Sequence, residues 1–427
     1  MTVAIFVFSL LGAMAFGMPI ALALVFCSLA LMVWLGIFDT MIVAQNMIIG
    51  ADNFQLLAIP FFLLAGELMN AGGLSKRIVH FALTLVGHVH GGLGYVAIFG
   101  AIIMASLSGS AAADTAALAA ILIPMMREAG YNLPRSAGLI SAGGIIAPII
   151  PPSIGFIVFG VAANLSITRL FMAGIFPGLL MGLSLVIAWF IVCRRDQLKV
   201  LPKATGAERW KATRDGTLAL LMPIAILGGI RFGVVTPTEA AVIAVVYATV
   251  VGMFVYRELT LAKLWHATLL SSKTTGAVMF LVAAAVISAW LITQANIPAE
   301  LRTVLAPFMD NKTALMFMLM IIVMIVGTAL DFTPTVLILT PVLMPIVREA
   351  GIDPIYFGVL FIINNAIGLI TPPVGIVLNV VCGVARVSMS QVIVGVWPFL
   401  VAQAFTMVLL ILFPQLVMWP LAWITGR

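Results

Sequence analysis

Apolar and polar positions divide this chain into long hydrophobic segments with short polar interruptions between them. Residues 3–37 are apolar almost without a break. As one helix they would run roughly 52 Å at 1.5 Å per residue, too long for an upright crossing of a core about 30 Å thick. Phe16, Gly17, Met18 and Pro19 supply a turn, so the pattern predicts spans over 3–17 and 19–36. Further spans are predicted at 53–72, 134–163, 170–194, 216–231, 236–256, 275–297, 354–383 and 392–420. Residues 92–127 and 313–348 are each long enough to enter and leave the membrane on one side, and are predicted as re-entrant hairpins. Segments 38–52 and 258–273 mix charges with apolar residues and are predicted as amphipathic helices in the interface. The opening MTVAIFVFSLLGA has no basic n-region and no small-residue cleavage site, so it is expected to be a first span and not a removable signal peptide.

One interruption stands out. Residues 106–115 read SLSGSAAADT, and a similar patch recurs as VGTALDFTPT at 326–335. The recurrence extends further. LIPMMREAG at 122–130 returns as LMPIVREAG at 343–351, and IIPPS at 149–153 as ITPPV at 370–374, both at an offset of 221. The chain therefore reads as two repeats, 1–195 and 216–427, joined by a polar linker at 196–215. Each has about five spans, an interfacial arm, a polar-tipped hairpin (92–127, 313–348) and a Pro-Pro-broken span (134–163, 354–383). An odd number of crossings inverts the second repeat relative to the first. Inverted repeats with interruptions at matching places are the pattern of a secondary transporter that binds its cargo near the membrane midplane. Backbone inside hydrocarbon must be hydrogen-bonded, so an unwound stretch persists only where it lines a cavity or holds a ligand. Freed carbonyls and hydroxyls suit Na⁺, and helix N-termini suit a carboxylate.

Composition sharpens this picture. The 427 residues are 63% hydrophobic and 8% charged, against roughly 25% charged in a soluble domain. The net charge of +6 reports orientation in the bilayer and not nucleic-acid binding. With the N-terminus outside, 14 of the 21 basic residues fall inside and six outside, with Lys273 undecided; Arg195 counts inside and Arg427 outside. That is the asymmetry of the positive-inside rule. The three cysteines lie in or at the ends of apolar runs and are expected to be small buried hydrophobes. His88 and His90 are two apart, on different helix faces, which excludes a metal pair. Arg127-Glu128 and Arg348-Glu349 are expected as interfacial anchors, and Glu67 as a structural acid. The chain contains no HExxH, GxSxG or GxxxxGK[ST], so metalloprotease, serine hydrolase and ATP-driven pump find no support.

LLAIPFFLLAGELMNAGGLSKRI (56–78), SLSGSAAADTAA, LIPMMREAGY, GGIIAPIIPPS, FGVVTPTEAA and ALDFTPTVLILTPVLMP together resemble the large membrane subunit of tripartite ATP-independent periplasmic (TRAP) transporters, over essentially the whole chain. The resemblance implies an all-α, elevator-type carrier of the bacterial inner membrane with a periplasmic N-terminus. It further implies two or more Na⁺ ions carried with an organic acid: a C4-dicarboxylate, a sugar acid or a sialic acid. A small four-helix membrane subunit, expected as a separate chain, and a periplasmic substrate-binding protein complete such a system. By position, one Na⁺ site would use Ser108, Ser110, Gly144, Ala147 and Pro148. The other would use Gly327, Thr328, Asp331, Gly368 and Thr371. Ser106, Pro152, Ser153, Thr333, Asn365 and Pro373 would face substrate, and Asp114 and Glu239 match acidic positions of the family. Asp331 aligns with Ser110 and not with Asp114, so the two sites are not expected to share identical ligands. The competing expectation is a stand-alone ion-coupled dicarboxylate carrier of a related inverted-repeat family; independent uptake in vesicles would distinguish it.

Overall fold

Lipid offers no hydrogen-bond partner to a backbone N–H or C=O, so apolar chain closes its own bonds as helix. The computed structural model describes residues 2–194, 196 and 198–426; Arg195 and Arg427 of the charge count lie outside them. Helix and connecting turn make up the described residues, with no strand among them. Among the described residues, eight helices are long and apolar enough to cross a membrane.

The first series opens with α1 (Thr2–Ala15), α2 (Ile20–Leu35) and the arm α3 (Thr40–Ala51), followed by α4 (Ala58–Ala71) and α5 (Leu74–Val86). The hairpin helices α6 (Gly92–Ser108) and α7 (Ala111–Glu128) come next, then α8 (Leu133–Gly144) and α9 (Ile154–Ala163), the halves of a broken helix, and α10 (Ile167–Cys193). The second series has α11 (Gly206–Arg231), α12 (Pro237–Val250), α13 (Leu261–Gln294) and α14 (Ile297–Leu305). Its hairpin is α15 (Lys312–Ala329) and α16 (Phe332–Glu349), its broken helix α17 (Pro354–Gly368) and α18 (Ile376–Ala385). The chain ends with α19 (Met389–Leu412) and α20 (Gln415–Thr425). From the hairpins onward the order of elements recurs: α7 starts at 111 and α16 at 332, α8 at 133 and α17 at 354, each 221 apart.

Several boundaries differ from the sequence pattern for local reasons. The linker expected to reach residue 215 stops ten residues earlier, because Thr205 and Glu208 form a capping box that starts α11. The arm over 258–273 and the span over 275–297 are one 34-residue helix, α13. In the first series Asn53 caps a new short turn and separates arm from span. The last span divides at Phe413–Pro414 into α19 and α20. Helices α5 and α14 fall outside the expected spans, since each is short and about a third polar or more; Leu74, Ile78, Val79 and Ala82 form the buried stripe of α5.

Packing brings the two broken helices together. Phe159 of α9 lies against Phe361 and Phe357 of α17, with ring centroids 5.4 and 6.3 Å apart. Away from this contact, Ser28 of α2 and Ser288 of α13 share a buried hydrogen bond of 2.9 Å. Arg77 of α5 pairs with Glu258 at 2.6 Å while stacking on Tyr256. Helices α8 and α19 cross closely enough that a Cβ on Gly395 would sit 2.1 Å from the Pro134 carbonyl oxygen. Gly395→Ala is therefore expected to wedge the crossing open at a cost of about 1–3 kcal/mol. A lowered melting temperature in detergent checks this; unchanged melting would mean the helices do not cross so closely.

Candidate functional site

Both hairpins turn in two residues. In the first, Gly109 takes φ +63°, and Ser110 caps α7 by accepting the Ala113 N–H. Most of the SLSGS patch is thus helical, and the true interruption is Gly109–Ser110. Ser108, the last residue of α6, donates to Asp114 Oδ1 at 2.5 Å and accepts the Ser110 N–H at 3.1 Å. Asp114 is 1% exposed, and its second oxygen Oδ2 accepts no hydrogen bond. The fully buried Thr115 Oγ1 beside it is likewise unpaired.

The tip closes onto the first break. A Cβ on Gly109 would lie 2.7 Å from the Pro152 carbonyl, and one on Gly144 would lie 1.6 Å from Thr115 Oγ1. Both glycines are thus required by close approach. Between α8 and α9 the chain turns through short bonds, Ile146 N–H to Gly143 O and Ala147 N–H to Gly144 O. Ser153 then restarts the helix: its hydroxyl accepts from Phe156 N–H and donates to the Pro148 carbonyl. The C-terminal end of α8 packs into the hairpin here, Gly143 facing Ala101 seven residues before the end of α6 and Gly144 facing Thr115 of α7.

The second hairpin repeats the plan with other residues. Asp331 stands where Ser110 stands, 221 positions on, and caps α16 through the Phe332 N–H at 2.7 Å. Gly327 of α15 meets Gly368 of α17; a Cβ on Gly368 would be 2.9 Å from the Gly327 carbonyl. Asn365, fully buried, donates to the Phe332 carbonyl, while its Oδ1 faces Gly327 without a hydrogen bond. Thr328 and Thr371 hydroxyls donate to Ile325 O and Ile367 O. Phe332 joins the two assemblies: a Cβ on Gly155, in the first turn of α9, would lie 2.6 Å from its ring.

At the second place, then, two helix C-termini meet, α15 with α17, and at the first the C-terminus of α8 meets the hairpin of α6 and α7. A helix C-terminus carries about −0.5 of a charge, so the α15–α17 pair presents about one negative charge to a cation, and the end of α8 presents about half of one at the first place. The surrounding donors are carbonyls, hydroxyls, an amide and a carboxylate, a hard oxygen set that suits an alkali or alkaline-earth ion. Helix N-termini of α7, α9 and α16 open into the same region and suit an anion.

The structure distributes the expected site residues unevenly. Ser108, Ser110, Asp114, Gly144, Ala147, Pro148, Pro152 and Ser153 gather at the first tip and break, with Ser106 buried one turn back in α6. Gly327, Thr328, Asn365, Gly368 and Thr371 gather at the second. Asp331 is exposed, spends its carboxylate on the cap, and is not drawn into the cluster. Thr333 is half-buried beside it and Pro373 is exposed. Glu239 lies at the exposed start of α12, closing a capping box with Thr236, so its geometry is that of a helix start. A cavity of 280 Å³ lies between the arm and α13 on one side and α9 and α16 on the other; none of the six residues expected to face substrate lines it. Thr115 was overlooked in the sequence, although a hydroxyl next to Asp114 in an apolar helix was the signal. Among the described residues no three His, Cys, Asp or Glu side chains gather as metal ligands. His90 instead bonds the Cys193 carbonyl.

A family profile described as "Tripartite ATP-independent periplasmic transporter, DctM component" matches residues 7–416. The chain is 56% identical, over 99% of its length and 100% of the relative's, to the 2,3-diketo-L-gulonate TRAP transporter large permease protein YiaN of Escherichia coli. It is 37% identical to the sialic acid TRAP transporter large permease protein SiaM of Vibrio cholerae, over 96% of each. Among solved structures, the YdaH transporter of Alcanivorax borkumensis superposes with a TM-score of 0.63 at 14% identity, covering 89% of this chain and 88% of that one. At that identity the likeness concerns the fold.

The contact between Gly144 and Thr115 supplies a direct test. Gly144→Ala should destabilise the protein by about 1–3 kcal/mol, and adding Thr115→Ala should recover part of the loss. Melting curves of the two single variants and the double variant check it; strictly additive losses would separate the two residues.

Proposed function

Because the chain belongs to the DctM family, the large membrane component of tripartite ATP-independent periplasmic transporters, we propose that it imports an organic acid together with Na⁺ across the bacterial inner membrane. The observation that carries this reading is the meeting of a broken helix's C-terminus with a hairpin at each of two interruptions, which join through Phe332 and Gly155. Two Na⁺ ions would lie there, one near Ser108, Ser110 and Gly144–Pro148, the other near Gly327, Thr328 and Gly368–Thr371. The anionic cargo would sit between them, against the N-termini of α7, α9 and α16. The first ion site has a reason to contain a carboxylate. Asp114 Oδ1 fixes Ser108 and leaves Oδ2 free to add negative charge.

The cargo we propose is a sugar acid of the 2,3-diketo-L-gulonate kind, because the relative named for that substrate is 56% identical from end to end. Those named for sialic acid and C4-dicarboxylate stand at 37% and 38%. A periplasmic binding protein would deliver it, and a small membrane subunit would hold the chain in place, with the N-terminus periplasmic. The recurring element order supports two inverted repeats. Hairpins and broken helices would move as an elevator against α1–α4 and α11–α13, and the 280 Å³ cavity between α13 and α16 lies along that seam.

Reconstitution with a small subunit and binding protein tests the proposal. Uptake of labelled 2,3-diketo-L-gulonate is expected only with an inward Na⁺ gradient and all three components. Equal uptake in choline would contradict Na⁺ coupling, and uptake by the large chain alone would favour a stand-alone carrier. Ser108→Ala and Thr328→Ala should each raise the half-saturating Na⁺ concentration by about fivefold, the weight of one oxygen ligand at about 1 kcal/mol. Unchanged Na⁺ dependence at normal expression would remove both residues from the ion sites.

A further inference from the structure

The two arginines of the repeated REAG motif do not merely reach into the interface. Arg127, in the last turn of α7, donates from Nη2 to the carbonyl of Ala385 at 2.9 Å. Arg348, 221 residues on in the last turn of α16, donates from Nη2 to the carbonyl of Ala163, also at 2.9 Å. The acceptors correspond as well: Ala163 is the last residue of α9 and Ala385 the last of α18, both ten-residue helices. Each is followed by a left-handed residue, Asn164 at φ +53° and Arg386 at φ +56°. Each hairpin arginine therefore caps the short helix of the opposite repeat. The bonds come where the last carbonyls of a helix lack intrahelical partners and its dipole favours a cation.

Both partners in each pair begin at the central interruptions. Helix α7 starts at the first hairpin tip and α18 at the second break; α16 starts at the second tip and α9 at the first break. Pinning their outer ends together fixes how far each short helix, and the break before it, stands from the neighbouring tip.

We propose that Arg127 and Arg348 are positioning residues that couple the two halves, each holding the opposite repeat's break in register with its own hairpin. The coupling rests on the transport reading above for its purpose, which is to make both ion sites open and close as one unit. Each Na⁺ site draws its ligands from one repeat, yet its break is held by the other repeat's arginine.

Hydrogen exchange of the full-length protein in lipid nanodiscs tests this without relying on transport. Arg127→Gln should speed exchange about threefold or more in Ile376–Ala385 and the break before it, while 149–155 stays unchanged. Arg348→Gln should do the reverse, acting on Ile154–Ala163 and its break and sparing 369–375. Arg127→Lys and Arg348→Lys keep a charged donor and should restore most of the protection. They serve as the readout should a glutamine variant fail to fold, with the same crossed pattern at smaller size. Acceleration confined to the variant's own repeat, or equal in both breaks, would overturn the coupling. In Na⁺-dependent uptake the double glutamine variant should lose steepness toward a Hill slope of one. A slope that stays steep would likewise overturn it. Uptake indifferent to Na⁺ in the unaltered protein would instead strike the transport reading, while the exchange pattern would still decide the coupling.

Discussion

A membrane interior contains no water to satisfy an interrupted backbone, and this governs how the chain is arranged. Helix ends left in hydrocarbon must find partners or find each other. Here α6, α8, α15 and α17 stop short in the protein interior, and the structure gathers their ends with the tips of two hairpins. Gly109, Gly144, Gly327 and Gly368 permit this, since a Cβ on any of them would overlap backbone or a buried side chain. Much of the remaining architecture serves to hold the two broken helices against one another, including the Phe159, Phe357 and Phe361 cluster.

What the cluster can do follows from polarity. Paired C-termini concentrate partial negative charge and N-termini partial positive charge, with no ionised side chain needed for either. The two repeats use one frame with different chemistry. Ser110 and Asp331 occupy equivalent capping positions, yet the buried acid at the first interruption is Asp114, reached by Ser108. At the second, Thr335 stands 221 positions on from Asp114, and the buried polar group is an amide, Asn365, against Gly327. An acid on one side and an amide on the other means the two interruptions do not present the same field.

Much of this was legible in the sequence. Spans and hairpins announced themselves by length, because a bilayer demands about 20 apolar residues at a time, and the interruptions by repeating at an offset of 221. Elements governed by short-range chemistry were less visible. Helices α5 and α14 carry polar faces that dilute their apolar signal. The start of α11 depends on one Thr–Glu capping box inside a charged stretch. Whether an arm joins its span depends on Asn53 in one repeat and its lack of a counterpart in the other. At the candidate site, the sequence named segments that the structure brings together but could not show that Asp331 is exposed while Asp114 is buried. Both are acids near a hairpin tip, and only their distance along the helix separates a cap from a buried carboxylate. The reciprocal arginine caps were hidden for a similar reason, since no local pattern links Arg127 to Ala385.

Two cryo-electron maps of the protein, one in sodium and one in choline, would test most directly whether the meeting interruptions form cation sites. Density for an ion is expected in sodium at both places, beside Ser108 and Gly144 and beside Gly327 and Gly368, and at neither in choline. Intact helices and breaks with no ion density in sodium would contradict the account.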